Sequence, residues 1–154
     1  MSTWKQRQSL EKTIEPNIYM QKSERLERKV VLIVDDSSEI LSLHRMVLEM
    51  DDFKVYTALS ALEALEILSQ MSSPDLILLD VRMEGVSGAE FLVMLEEKMP
   101  EIIENVPVVF LTALDEVPPS KAVGFIRKAI DIDKFVEAVH HFIEMGTGRA
   151  PYRL

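Results

Sequence analysis

Five short apolar runs rich in β-branched residues recur along the chain from residue 30, separated for the most part by amphipathic stretches of helical period. A chain that alternates in this way folds as a parallel sheet with helices on both faces, because every crossover must return over a face before the next strand can pair. The first run, "VVLIV" at 30–34, is apolar at every position, as a central strand buried on both faces requires. A helix follows, capped by Ser37 or Ser38 and reaching about Met50, with Ile40, Leu43 and Val47 on one face. "FKVYTA" at 53–58 alternates as a partly exposed strand, and "SALE" at 60–63 has the spacing of a capping box that opens a helix bearing Leu62, Leu65 and Leu68. The third strand is "DLILLD" at 75–80, the third helix "GAEFLVMLEEK" at 88–98 and the fourth strand "VPVVFLT" at 106–112. "GFIRKA" at 124–129 supplies the fifth strand, and the last helix starts near Asp131 with Ile132, Phe135, Val136, Val139 and Ile143 on one face. Gly146 ends that helix. Between strands four and five, Pro118, Pro119 and Gly124 leave room only for a single turn near 118–122. The expected organisation is an extension over 1–29, partly helical or flexible, a folded body over 30–145 and a tail over 146–154.

Charge and composition narrow the function. Residues 1–29 carry seven Lys or Arg against four Asp or Glu, and the remainder carries ten against twenty-two. An acidic body repels phosphodiester backbones, so direct nucleic-acid binding by it is not expected. The absence of cysteine excludes thiol nucleophiles, disulfides and cysteine-ligated metals. The first thirty residues hold no apolar signal core, and the longest apolar run, "VPVVFLTAL" at 106–114, is too short to span a bilayer, so neither export nor membrane insertion is expected and a cytoplasmic location fits.

In an open parallel sheet the side chains at the carboxyl ends of the strands converge on one edge, where ligands bind. Strand one ends in Asp35 and Asp36, strand three in Asp80 and strand four in Thr112, while strand five carries Lys128. Carboxylates brought that close repel: at about 4 Å and an effective dielectric of about 20, each pair costs on the order of 4 kcal/mol. Lys128 offsets part of this, and a hard divalent cation with oxygen ligands offsets the rest; Mg²⁺ fits, because it accepts a few carboxylates and bridges to phosphoryl oxygens. The chemistry such a set supports is phosphoryl transfer, with Asp80 as nucleophile, Thr112 offering its hydroxyl to a phosphoryl oxygen and Lys128 pairing with another. Singly, each residue has an ordinary explanation, since Asp favours strand ends and helix caps, Thr is common in strands and Lys is usually a solvated charge. The pattern as a whole carries the reading.

The segments "VVLIVDDSSEI", "DLILLDVRMEGVSGAEFL", "VPVVFLTA" and "GFIRKAID" resemble the receiver domain of bacterial two-component response regulators over about residues 30–145. The resemblance implies a flavodoxin-like α/β fold with a five-stranded parallel sheet in the order 2-1-3-4-5. It further implies that Asp35, Asp36, Asp80 and the backbone carbonyl of Arg82 hold Mg²⁺, and that Asp80 accepts the phosphoryl group. Thr112 and Phe125 match the switch hydroxyl and switch aromatic, Lys128 the family's lysine and Gly88 the glycine that opens the third helix. The phosphoryl donor implied is a phosphohistidine on a histidine kinase or phosphotransfer protein, and the phosphorylated form binds an output protein. Such a domain phosphorylates and dephosphorylates itself and is not a turnover enzyme.

Several positions depart from the family pattern. Ala129 stands where a proline, often after a cis bond, usually follows the lysine; a cis bond before Ala costs roughly 2.5 to 4 kcal/mol, so a trans bond is expected. Glu84 replaces a loop proline. The interval from Thr112 to Lys128 is short by about one and a half helical turns, which reduces or removes the family's fourth helix, part of its usual output face. Arg82 and Leu114, two residues past the phosphoacceptor and the Thr, tune hydrolysis in the family; a bulky Arg and an apolar Leu position water poorly, so a long-lived phosphoform is expected. His44, His140 and His141 read as surface histidines, and Trp4 as an anchor of the extension onto the body or a partner. Two competing functions stay open: a pseudo-receiver acting as a constitutive protein-interaction scaffold, and a metal-dependent phosphatase with an Asp nucleophile. The second is disfavoured by "DVRM" at 80–83, which lacks an Asp two residues after the nucleophile. The oligomeric state is open.

Overall fold

The computed structural model describes residues 27–113, 117–128 and 130–148, together with the backbone of 152–153. The expected extension over 1–29 therefore falls almost wholly outside the described residues, and Trp4, Leu114 and Ala129 lie outside them altogether.

Strands β1 (Val30–Val34), β2 (Lys54–Ala58), β3 (Leu76–Asp80), β4 (Val108–Thr112), β5 (Gly124–Arg127) and β6 (Tyr152–Arg153) form one parallel sheet in the order β2-β1-β3-β4-β5-β6. The five-strand order 2-1-3-4-5 is present, and the segment read as a tail adds a sixth strand beside β5. The helices are α1 (Ser38–Met50), α2 (Ala61–Gln70), α3 (Gly88–Lys98), α4 (Pro100–Asn105) and α5 (Ile132–Met145).

Strand periodicity divides the core. Val31 and Ile33 face one side, against Leu41 and Leu48 of α1 and Phe135 and Phe142 of α5. Leu32 and Val34 face the other, against Ala64 and Leu68 of α2, Phe91 and Leu95 of α3 and Ile102 of α4. β1 is buried on both sides, as its unbroken apolar run requires.

The helix starts follow local chemistry. Ser37, Ser60, Ser87 and Asp131 each accept a backbone N–H of the first turn, and Ser87 with Glu90 completes a capping box. The "SALE" box survives as a Ser60 cap, while Glu63 instead accepts from Leu59 N at 3.1 Å.

Further details differ from the sequence reading. Helix α4 is absent from the sequence reading; Pro100 occupies its first helical position, where the missing N–H costs nothing. β4 starts at Val108 and not at Val106, because Val106 is the C-cap of α4. β5 stops at Arg127, and Lys128 begins the turn beyond it. Leu62, Leu43 and Ile132 are exposed, because the buried stripes run through Ala61, Ala64 and Leu68 on α2, through Leu41, His44, Val47 and Leu48 on α1, and through Phe135, Ala138, Val139 and Phe142 on α5. His44 is no surface residue: it is 7% exposed and its ring stacks on Phe135 at 4.5 Å. The positions Leu41, His44 and Leu48 share one helix face, so geometry buries the imidazole between two apolar neighbours.

Between β4 and β5, the described residues contain no helix and no single turn of one. Val117 and Ala122 pack instead on the cluster that holds Phe110 and Phe125. Lys121 pairs with Glu96 of α3 at 3.0 Å, which ties this strap to the face a helix would cover.

Candidate phosphoryl site

The carboxyl ends of β1, β3, β4 and β5 bring together Asp35, Asp36, Asp80, Arg82, Thr112 and Lys128 around one cleft of about 270 Å³, also lined by Ser37 and Ala113. Each side chain is held by its element. Asp35 is fully buried, and its Oδ1 accepts the N–H of Ser37 at 2.9 Å, so the residue that caps α1 also orients the acid. Asp36 is exposed, and its Oδ2 accepts the Glu84 N–H at 2.9 Å, drawing the β3–α3 loop over the site. Asp80 ends β3 at 5% exposure and accepts the Arg82 N–H at 3.3 Å. The same loop closes where Gly88 N donates to the Val81 carbonyl at 3.0 Å.

Lys128 Nζ lies 2.7 Å from Asp35 Oδ2 and 3.2 Å from Asp80 Oδ1. Its backbone is fixed as well, since Lys128 N donates to the Thr112 carbonyl at 2.8 Å. Thr112 is 2% exposed at the end of β4, opposite Arg127. Phe125 pairs with Phe110 in the ladder and is buried in the core cluster, so it stands behind the cleft and does not line it.

Burial pushes the Asp80 carboxyl above the usual carboxylate range, and the charge of Asp35 pushes it further, against the opposing pull of Lys128. Burial alone would lower the Lys128 ammonium; the close contact and charge of Asp35, with Asp80 adding to them, outweigh it and hold the group above its ordinary value. Lys128 is thus a fixed cation between two acids.

Lys128 and the Arg82 that also lines the cleft do not balance three acids. A ligand oxygen from each of Asp35, Asp36 and Asp80 lies within 4.8 Å of the others. Asp35 Oδ2 is buried with the Lys128 ammonium beside it. A hard, all-oxygen donor set with surplus negative charge fits a divalent cation such as Mg²⁺. Every acid of this cluster is legible in the sequence, whereas Ser37 reads there only as a cap and the Glu84 N–H contact leaves no side-chain pattern to read.

Residues 31–140 match the response regulator receiver domain. The chain is 34% identical over 121 residues to the sporulation initiation phosphotransferase F of Bacillus subtilis, covering 75% of this chain and 94% of that protein. It is 29% identical over 121 residues to the polar-differentiation response regulator DivK of Brucella ovis, covering 75% and 96%. Among solved structures, a response regulator of Thermotoga maritima in complex with Mg²⁺ and beryllofluoride superposes with a TM-score of 0.63 at 26% identity, over 73% of this chain and 97% of that one. With the family match spanning most of the chain and the acids of β1 and β3 meeting the lysine after β5, this protein belongs to the receiver domain family of response regulators.

Proposed function

We propose that this receiver accepts a phosphoryl group on Asp80 and signals by binding another protein in its phosphorylated form. The observation that carries the reading is the placement of Lys128 Nζ between Asp35 and Asp80, beside the buried Thr112. The phosphotransferase name of the Bacillus relative points the same way.

Asp80 supplies the attacking oxygen. Its bond to phosphorus forms as the P–N bond of a phosphohistidine breaks, and the electron pair returns to the donor imidazole, which takes up a proton. The donor is a histidine kinase or a phosphotransfer protein. Lys128 neutralises one phosphoryl oxygen, and the Thr112 hydroxyl, once turned toward the group, holds another. Asp35 and Asp36 would hold Mg²⁺ with Asp80 and the Arg82 carbonyl, and the ion when bound neutralises charge on the transferring group. Thr112 and Phe125 form the switch pair, on neighbouring strands of one ladder. The domain works as a switch and not as a turnover enzyme, in the cytoplasm, with an output protein as reader and without direct nucleic-acid contact. Arg82 in the cleft and Leu114 beyond Thr112 slow hydrolysis of the acyl phosphate, so label is retained well beyond seconds in purified protein with Mg²⁺.

Incubation with a small phosphodonor and Mg²⁺ tests this by mass spectrometry. The expected result is a gain of one phosphoryl group, lost in Asp80→Asn. A second reading, the constitutive scaffold, is favoured by the helix-free connection between β4 and β5 among the described residues; no mass gain in the intact protein would select it.

A further inference from the structure

We propose that the groove between α1 and the outer side of β2 is a docking site for an acidic segment of a partner protein, held through side chains and anchored at one end by apolar contact. β2 is the last strand of the sheet on its side and pairs with β1 alone among the described residues. A cavity of about 680 Å³ runs along it. Side chains alternate across a strand, so Lys54 and Tyr56 reach this groove from one face of the sheet and Thr57 from the other. Arg45 and Glu49 of α1, with Arg28 just before β1, complete the wall. Arg28, Arg45 and Lys54 are all exposed. Lys54 Nζ stands 5.5 Å from the centre of the Tyr56 ring, which steadies the ammonium without neutralising it.

Charge complementarity selects the occupant. Three cations in one groove stand against the trend of residues 30–154, which hold ten Lys or Arg against twenty-two Asp or Glu. The acid among them, Glu49, is already engaged by Arg45 at 2.8 Å. The groove continues toward the phosphoryl cleft: a second cavity of about 180 Å³ shares Arg45 and Thr57 with the first and adds Ser38, Leu59 and Glu63. Glu63 accepts the Leu59 N–H at 3.1 Å, which leaves the leucine side chain outward. Leu59 is 46% exposed, and Leu62, in the same turn as Glu63, is 69% exposed. Two leucines left in water at the end of a basic groove offer an apolar anchor beside the charges. The matching ligand therefore carries several carboxylates followed by apolar side chains. A nucleic-acid strand matches less well, because beyond Arg28 the surface turns acidic at Glu27, Asp51 and Asp52, which repel a long polyanion but lie past the end of a short segment. The docking needs no phosphoryl group, so it is tested without a phosphodonor and can fail independently of the reading of Asp80.

The test follows backbone amide shifts of the unphosphorylated full chain by NMR at low salt while a synthetic peptide of alternating glutamate and serine ending in two leucines is added. Shifts are expected at Arg28, Arg45, Leu59 and residues 54–57, and a peptide with lysine in place of glutamate should leave them unmoved. Arg45→Gln and Lys54→Gln, both at exposed positions where the fold is kept, should each weaken binding about two- to fivefold, the range of a solvent-exposed ion pair. Leu62→Ser should weaken it while leaving its salt dependence unchanged. Shifts that are absent, that fall elsewhere or that are as strong in both charge variants overturn the proposal. So do equal shifts with inorganic phosphate or a single-stranded oligonucleotide, which would make the groove a general anion site. Shifts at the same residues that grow with protein concentration alone would mean that a second copy of this chain occupies the groove, and would overturn it as well.

Discussion

At Gly88 a single hydrogen atom in place of a methyl group lets α3 begin against the end of β3. A β carbon there would fall inside van der Waals distance of the Asp80 carbonyl oxygen and 3.1 Å from Phe110 Cε1. Backbone cannot yield as a flexible side chain does, so Gly88→Ala is expected to destabilise the fold by about 1 to 3 kcal/mol, read from urea denaturation, and to slow phosphorylation by moving Asp80. His44 offers a second test. Burial lowers its pKa below the ordinary 6.5; the charge of Asp35 opposes this and that of Lys128 adds to it. Below pH 6.5 the unfolded chain therefore takes up a proton that the folded chain refuses, and stability falls as the pH drops toward the folded value. His44→Leu should remove this part of the pH dependence while keeping the packing against Phe135, which denaturation at pH 7 and pH 5.5 would show. The site acids were legible because each ends an apolar run, whereas the burial of His44 was missed although its spacing from Leu41 and Leu48 was there to be read.

Among the elements, the β4–β5 connection holds no helix in its described residues. Its hold on the body divides between an ion pair and apolar contact, which differ in expected strength. The Lys121–Glu96 pair has both side chains roughly half exposed or more, so Lys121→Ala should cost less than about 0.5 kcal/mol. Val117 packs on the core cluster, and Val117→Ala, which removes two methyl groups from that contact, should cost about 1 kcal/mol. Thermal melts of the two variants would rank them, and an equal or reversed order would mean that charge and not apolar cover fastens the strap. That the described residues of this connection hold no full helix was legible from Pro118, Pro119 and the short interval, since proline geometry is local. Helix α4 was not, because a proline that ends one helix and a proline that starts the next look alike until the chain direction is known.

Over the whole molecule, charge and stability are linked through the acidic edge. If Asp35, Asp36 and Asp80 hold a divalent cation only when folded, Mg²⁺ at about a hundred times its dissociation constant adds about 2.7 kcal/mol, or roughly 5 to 10 °C in Tm. The shift should vanish in Asp36→Asn, and one that persists undiminished would place the ion elsewhere. The two-sided core, the parallel sheet and the convergence of Asp35, Asp36, Asp80, Thr112 and Lys128 on one edge were all determined by the sequence itself. Run length, side-chain period and strand-end residues are local properties, and a parallel sheet turns them into position without further information. Only the tertiary structure decided that Lys128 reaches both Asp35 and Asp80, that the Glu84 N–H binds Asp36, that His44 lies under Phe135 and that Tyr152–Arg153 lies along β5. Each of these joins residues distant in sequence, and such a contact exists only once the whole sheet has set the distance between them.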